Sequence, residues 1–244
     1  MLIYGVNPVV EALRAGRVRE LRAADRASAR VADIVTAAAR GGIPVKRVSA
    51  AELDRAARGG VHQGVVAELR ERERFDISDL VGGAIGPPLI VVLDGIEDPH
   101  NVGAILRTVD AAGGDGMVRQ SRHAAPLDGA AAKASAGAVS HVKVAEVVNI
   151  ARALEALKES GVWTVGLDGE ASTRLDEIDL TLPTAVVLGA EGTGLRRLVR
   201  DRCDVLASIP MRGHVKSLNV SVAAGIALFE AVRQRSTAPK HANR

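Results

Sequence analysis

Six consecutive residues, Leu89 to Asp94, form an apolar run with no glycine, proline or charge before the final aspartate. Such a run is typical of a strand buried on both faces, as in a parallel sheet covered by helices. Further strand patterns lie at residues 163–167, 185–188 and 205–209, and helical patterns at 102–112, 150–159, 195–202 and 220–233. This alternation predicts an α/β fold with right-handed crossover connections.

The residues before this run show a second, smaller alternation of helices and strands. A helix is predicted from Asn7 to about residue 14, because asparagine is a good N-cap and Pro8 suits the first helical position. Ser49 and Glu52 have the spacing of a capping box that opens another helix. The other elements predicted here are a helix at 29–40 and strands at 18–24, 43–48 and 64–67.

A change in composition separates these two regions. The charged residues at 71–74 and the glycines and prolines at 82–88 are typical of a linker. We therefore predict a small α/β domain at residues 1–73 and a linker at 74–87. A second domain is expected at 88–236, followed by a frayed tail at 237–244.

The composition excludes several classes of protein. Aromatic residues make up 2% of the chain, which argues against RNA-binding folds that stack bases on aromatic side chains. The single cysteine, Cys203, rules out an internal disulfide and a cysteine-based zinc site, and we interpret it as a buried small residue. The histidines lack the i, i+4 pairing of a helical metal site, so no metal is expected. Neither a signal peptide nor a membrane span is evident, so we expect a cytoplasmic protein without a membrane partner.

Three polar segments follow predicted strands and precede predicted helices. They are residues 98–101, 189–194 and 209–219. Such positions line the ligand crevice of an open α/β sheet, because the carboxyl ends of parallel strands meet at one edge. Simpler alternatives remain open: Asn101 as an N-cap with a solvated Arg107, a plain glycine-rich turn, and Ser217 or Asn219 as an N-cap.

The glycine-rich segment argues against two common nucleotide-binding classes. Its spacing differs from the G-x-G-x-x-G of Rossmann dinucleotide enzymes, and no Lys-Ser/Thr pair follows as in a P-loop. The glycines still allow something to approach the backbone closely. Because Glu191 is a poor neighbour for a phosphate, a ligand that carries positive charge, or a partner arginine, makes better electrostatic sense.

Together, the three segments resemble the three motifs of the SpoU (TrmH) class of RNA ribose methyltransferases, a branch of the SPOUT superfamily. The matching stretches are residues 98–107 (DPHNVGAILR), 188–195 (LGAEGTGL) and 209–223, which begin IPM and end SLNVSVA. Residues 4–9 and 61–65 are similar to the front domain of the branch that methylates a guanosine in large-subunit ribosomal RNA (rRNA). The resemblance therefore covers nearly the whole chain.

The resemblance implies a C-terminal α/β domain with a deep trefoil knot that binds S-adenosylmethionine (AdoMet), mainly through backbone groups. It implies a front domain similar to ribosomal-protein-like RNA-binding modules, and a homodimer whose catalytic face lies across the subunit interface, with RNA rather than DNA as partner. The cofactor contacts that it implies are Gly189, Gly192, Ile209, Met211 and Leu218. The catalytic residues that it implies are Asn101, Arg107, Glu191, Ser217 and Asn219.

The implied reaction transfers a methyl group from a sulfonium to a ribose 2′-hydroxyl, which is a poor nucleophile while it is protonated. The resemblance nominates Arg107 as the activating group. A guanidinium stays protonated at neutral pH, so Arg107 could instead hold the target phosphate and stabilise the developing alkoxide. Glu191 would orient Arg107 or the substrate, and Ser217 and Asn219 would hold the ribose or the closed loop.

The charge distribution assigns RNA phosphate contacts mainly to the front domain. Residues 1–80 contain 14 Lys and Arg against 11 Asp and Glu, whereas residues 81–244 contain 18 of each class. The candidate contacts are Arg14, Arg17, Arg19, Arg22, Arg26, Arg40, Lys46 and Arg47. A net charge of +3 is also common in proteins that bind no nucleic acid, so charge alone does not decide the function.

The function we expect is methylation of a guanosine ribose in large-subunit rRNA. One alternative is the same reaction on a transfer RNA (tRNA) guanosine. Another is an RNA-binding assembly factor that keeps the fold without catalysis, although the intact set of implied catalytic residues argues against it.

Overall fold

The computed structural model describes residues 2–26, 28–70, 74–122, 124–127, 129–215 and 217–237. Its strands are β1 Leu2–Tyr4, β2 Val18–Ala24, β3 Val45–Val48, β4 Val65–Leu69, β5 Leu89–Asp94, β6 Gly116–Gln120, β7 Val144–Val147, β8 Trp163–Leu167, β9 Thr184–Gly189 and β10 Val205–Ala207. Its α-helices are α1 Val6–Arg14, α2 Ala29–Arg40, α3 Ala50–Ala57, α4 Ile77–Gly82, α5 Pro99–Ala111, α6 Gly129–Ala134, α7 Ile150–Glu159, α8 Arg197–Arg200 and α9 Val220–Thr237. Short 3₁₀ helices lie at Ala138–Ser140 and Leu175–Glu177.

Contacts group the described residues into two compact units. The first unit combines residues within 1–73, 98–107 and 125–141, and the second combines residues within 74–97, 108–124 and 142–244. The first unit therefore contains the start of α5 and all of α6 as well as the amino-terminal elements. No helix in the described part of the chain is long and apolar enough to span a membrane.

The first unit has a four-stranded mixed sheet with the order β1-β4-β2-β3. Strand β4 is antiparallel to β1 and β2, while β2 and β3 are parallel. The predicted bounds of β2 and α2 are confirmed, and so is the capping box, in which the Ser49 Oγ accepts from the Glu52 N–H at 3.4 Å. The predicted N-cap Asn7 is wrong, because α1 begins at Val6 and follows Gly5, whose φ of 92° suits glycine.

The second unit has a six-stranded parallel sheet with the order β10-β8-β9-β5-β6-β7. Strand β5 is central and all six of its residues are buried, as its apolar run predicts. It pairs with β9 in a register that joins Leu89 to Thr184 and Asp94 to Gly189. Because the strands are parallel, the carboxyl ends of β5, β8 and β9 lie together at one edge of the sheet.

The segment predicted as a linker contains helix α4. Asp76 caps this helix by accepting from the Asp79 N–H at 3.0 Å, and Leu80 is fully buried among Ile90, Val118 and other core residues. Burial of one leucine side chain contributes about 2 kcal/mol. Residues 77–82 of the segment predicted as a linker therefore form a helix that packs on the core, and the predicted domain and linker bounds stay a prediction.

The end of the chain also differs from expectation. Helix α9 continues to Thr237, so residue 237 does not belong to a frayed tail, and residues 238–244 lie outside the described residues. The side chain of Arg235 fixes the last turn of α9 to the rest of the second unit. Its guanidinium donates to the carbonyl oxygens of Pro87, Pro88, Leu180 and Leu182 at 2.6–3.0 Å. These bonds fasten the helix end to the segments that lead into β5 and β9.

Candidate active site

A cavity of about 650 Å³ lies at the carboxyl ends of β8, β9 and β10 in the second unit. Its volume falls within the range of roughly 300–1,000 Å³ that small-molecule sites have. All five predicted cofactor contacts line it: Gly189, Gly192, Ile209, Met211 and Leu218. Three predicted catalytic residues, Glu191, Ser217 and Asn219, line it as well. The second and third sequence motifs therefore converge on one site.

The loop after β9 turns back on itself before it reaches α8. Ala190 and Gly194 exchange two backbone hydrogen bonds, of 3.1 and 2.9 Å. Gly192 and Gly194 have φ values of 80° and 67°, which disfavour residues with side chains. A Cβ at Gly189 would overlap the backbone of Gly194 and Leu195. The loop therefore needs its glycines to keep this shape, and its residues 189–195 line the cavity.

One side-chain hydrogen bond joins the second and third motifs. Asn219 Nδ2 donates to Glu191 Oε1 at 2.6 Å. The Oδ1 of the same Asn219 accepts from the Ser221 N–H at 2.9 Å and caps α9. Asn219 is thus the cap residue that the sequence left undecided, whereas Ser217 is exposed at the cavity. Lys216, the residue before Ser217, lies outside the described residues.

The cavity carries more acidic than basic side chains among its described lining residues. Asp168, Glu170 and Glu191 line it, and Arg200, the one basic lining residue among those that the structure describes, donates to Asp168 at 2.9 Å. Such a lining suits a ligand with positive charge, as Glu191 alone had suggested. The sequence analysis missed Asp168 and Glu170, although they directly follow β8 and so obey the same strand-end rule as the three motifs.

Asn101 and Arg107 lie on α5, and contacts assign both to the first unit. The predicted helix start is wrong: α5 begins at Pro99, and the Asp98 carboxylate accepts from the His100 N–H at 2.9 Å. Asn101 is therefore inside the first turn and is 6% exposed, rather than acting as the N-cap. Arg107 is exposed and has no hydrogen bond or ion pair within the described residues, so its guanidinium is free to meet a ligand.

Cys203 is only partly buried, at the border of the second unit's core, rather than the fully buried small residue that was expected. Burial raises the pKa of its thiol to about 12, and its Sγ donates to the Val199 carbonyl oxygen at 3.3 Å. A thiol with this pKa is protonated at neutral pH and is not a nucleophile.

Of the basic residues predicted to contact RNA, some already have partners within the first unit and others have none among the described residues. Arg19, Arg22 and Lys46 share the carboxylates of Glu20 and Glu68. Three further predicted contacts have partners within the first unit: Arg14 pairs with Glu11, Arg17 donates to the Val139 carbonyl and Arg47 donates to the Ala24 carbonyl. Arg26 and Arg40 are exposed and have no side-chain partner in the described ranges.

Comparison with known proteins identifies the family. The model of the SpoU rRNA Methylase family matches residues 88–229, which include all three motifs. The chain belongs to this family. A second model, RNA 2′-O ribose methyltransferase substrate binding, matches residues 2–75. The predicted family and the predicted α/β SPOUT fold class are thereby confirmed.

SpoU relatives match this chain over most of their length. The 23S rRNA (guanosine-2′-O-)-methyltransferase RlmB of Xylella fastidiosa (strain 9a5c) is 47% identical over 240 residues, which are 96% of each chain. The crystal structure of the SpoU methyltransferase AviRb from Streptomyces viridochromogenes, in complex with the cofactor AdoMet, has a TM-score of 0.81 at 28% identity and covers 97% of this chain and 91% of its own.

A tRNA-modifying member of the SpoU group matches a smaller part of the chain. The TrmH/SpoU tRNA modifying enzyme of A. aeolicus is 33% identical, with a TM-score of 0.56, and covers 62% of this chain and 76% of its own. The RlmB relative and AviRb therefore share more of this chain than the tRNA enzyme does.

Proposed function

We propose that this SpoU protein transfers a methyl group from AdoMet to the ribose 2′-hydroxyl of a guanosine in 23S rRNA. The observation that carries the proposal is the convergence of the second and third motifs on one cavity of suitable size. The rRNA substrate is supported by the near full-length likeness to an RlmB enzyme, and the tRNA alternative is less favoured because its relative matches less of the chain.

The cavity fits the proposed cofactor by charge and by shape. AdoMet carries a sulfonium and an ammonium group, which suit the acidic lining of Asp168, Glu170 and Glu191. When bound, it supplies an electrophilic methyl group. Backbone groups of Gly189, Ile209 and Leu218 would hold it, with the proposed contacts Gly192 and Met211 nearby.

The exposed side chain of Arg107 suits activation of the 2′-hydroxyl. As a protonated group it would hold the target phosphate and stabilise the negative charge that develops on the 2′-oxygen as its proton passes to solvent water and its new bond to the methyl carbon forms. Asn101 lies on the same helix, α5, and we assign it to the catalytic residues together with Arg107. Glu191 would keep Asn219 in place through their 2.6 Å bond, while Ser217 and Asn219 hold the ribose side of the loop.

Helix α9 presents an exposed apolar stripe that supports the proposed homodimer. Val222, Ile226 and Phe229 follow the i, i+4, i+7 spacing of one helix face and are 50%, 40% and 50% exposed. The opposite side of the helix, with Ala224 and Leu228, is already buried. We propose that the stripe packs on a second copy of the chain, next to the third motif.

Phe229→Glu is expected to turn the dimer into a monomer. Placing a carboxylate in an apolar contact should raise the dimer Kd at least about thirtyfold, as the loss of a central interface residue worth about 2 kcal/mol does. Sedimentation velocity across a concentration series measures this change. The matched control is Trp163→Glu, which alters another exposed apolar residue of the same unit, on strand β8 rather than on α9. A dimeric Phe229→Glu variant, or a monomeric wild type, would contradict the proposed interface.

The first unit is proposed to bind the RNA, with the domain bounds predicted from the sequence. Arg26 and Arg40 are its best phosphate contacts, since acidic neighbours already compensate Arg19, Arg22 and Lys46. A cytoplasmic location follows from the proposed substrate, because bacterial ribosomes are made there.

Mapping ribose methylation across total RNA from a strain without this gene tests the proposed substrate. We expect the loss of one 2′-O-methylguanosine from 23S rRNA and its return when the wild-type gene, but not an Arg107→Ala gene, is restored. Loss of a methyl group from tRNA would favour the tRNA alternative. An unchanged methylation map would favour a non-catalytic assembly factor.

A further inference from the structure

Asp94 is a fully buried carboxylate that the proposed reaction does not use. It is the last residue of β5 and is 0% exposed. Aspartate is almost never completely buried unless its charge is paired, because an unpaired buried charge is strongly unfavourable. The Asp94 carboxylate therefore needs a specific partner within the protein.

That partner is Arg196, which is 102 positions away in the sequence. The Arg196 backbone N–H donates to Asp94 Oδ2 at 2.8 Å, and its Nε donates to Oδ1 at 2.7 Å. Nη2 also pairs with Oδ1. The Gln120 amide oxygen, in the orientation that satisfies both of its polar atoms, accepts from Nη1 and Nη2 at 3.3 Å. Every guanidinium nitrogen of Arg196 thus has a partner within the protein.

The position of this pair explains what it can do. Gly189 lies directly opposite Asp94 in the β5–β9 register, and there the chain leaves the sheet to form the loop that lines the cavity. The loop returns at Arg196, which binds the same Asp94. Both ends of the loop are therefore fixed at one point of the sheet edge, while its outer residue Glu191 is held by Asn219.

We infer that Asp94 and Arg196 are positioning residues that set the shape of the cofactor loop and so the affinity for AdoMet. Neither belongs to the described residues that line the cavity, so they act through the loop backbone rather than by contact with the ligand. This inference rests on the proposed function. It predicts that replacing either of these two residues weakens AdoMet binding by more than a general loss of stability does.

Titration calorimetry of AdoMet binding to the purified full chain, together with thermal unfolding, tests the inference. Asp94→Asn removes the charge from the backbone and guanidinium bonds that fix the loop end, and it should raise the AdoMet Kd roughly hundredfold because charge-assisted hydrogen bonds are the strong ones. Arg196→Met keeps the backbone bond but leaves the buried Asp94 carboxylate without its guanidinium, so it should lower the Tm and also raise the AdoMet Kd at least about tenfold. Arg196→Lys should recover part of the affinity, since it restores the charge without the planar fork.

Arg235→Met is the matched control. Arg235 is also a partly buried arginine with several hydrogen bonds in the second unit, but it binds carbonyl oxygens next to the amino ends of β5 and β9. It should lower the Tm and leave the AdoMet Kd unchanged.

The outcomes separate the inference from the proposed function. A wild type that binds no AdoMet contradicts the proposed function itself. A wild type that binds, with Asp94→Asn and Arg196→Met binding equally well, overturns the inference. The same holds if Arg235→Met weakens binding as much as Arg196→Met, because the effect would then be general destabilisation. If Asp94→Asn does not fold, the comparison of Arg196→Met with Arg196→Lys and Arg235→Met decides.

Discussion

Replacing Arg107 with alanine is expected to lower the rate of methyl transfer by roughly 10²–10³-fold or more while the AdoMet Kd stays near the wild-type value. Removal of one donor that stabilises a developing oxyanion has an effect of this size. Arg107 is exposed and is not one of the proposed cofactor contacts, so its loss should affect neither folding nor cofactor binding. Single-turnover methylation of rRNA, with calorimetry of AdoMet binding, measures both quantities.

Two further variants sharpen this test. Arg107→Lys keeps the charge but not the planar fork, so its rate should lie between those of wild type and Arg107→Ala. Arg152→Ala, at another exposed helical arginine on α7, should methylate at the wild-type rate. Unchanged turnover in Arg107→Ala would remove this residue from the mechanism.

Gly189→Ala is expected to weaken AdoMet binding by roughly 10²-fold or more. The added Cβ would overlap the backbone of Gly194 and Leu195, and backbone atoms cannot rotate away as a flexible side chain can. The loop would have to move off the cavity, and the loss of two hydrogen bonds to AdoMet, each worth about tenfold in Kd, has an effect of this size. Calorimetry, on protein whose fold is verified by circular dichroism, measures the change.

Other glycines provide graded controls for Gly189→Ala. A Cβ at Gly213 meets no atom of the described residues within 4 Å, so Gly213→Ala should bind AdoMet normally. A Cβ at Gly192 also meets open space, but the φ of 80° there is strained for alanine, so Gly192→Ala should have a smaller effect than Gly189→Ala. Equal affinity of Gly189→Ala and Gly213→Ala would contradict the assigned role of the loop.

Local signals made several elements of the fold predictable. Strand β2, helix α2 and the Ser49 capping box follow from apolar periodicity and capping residues that lie within a few positions of one another. Strand β6 was missed because it contains a glycine and Arg119, which breaks the apolar run. Arg119 is nonetheless 6% exposed and lies 3.5 Å from Glu146 on β7, a pairing that only the sheet creates.

The candidate site was predictable where a motif follows a strand. The loops from Gly189 and Ile209 were found in this way, and Asp168 could have been found by the same rule. Asp94 could not, because its role depends on Arg196, which is distant in the sequence. Knots are nearly absent from proteins, so the rules for chain connections would have excluded a trefoil topology. Only the family resemblance implied it.

An assay of methyl transfer by the purified protein is the most direct test of the proposed 2′-O-methylation of 23S rRNA. The protein is incubated with methyl-labelled AdoMet and deproteinised 23S rRNA or total tRNA, and the labelled nucleoside is then isolated. We predict label in 23S rRNA, in 2′-O-methylguanosine at one position, and its absence with the Arg107→Ala variant. Label on a base, label in tRNA alone, or no transfer by a protein that binds both AdoMet and RNA would contradict the account.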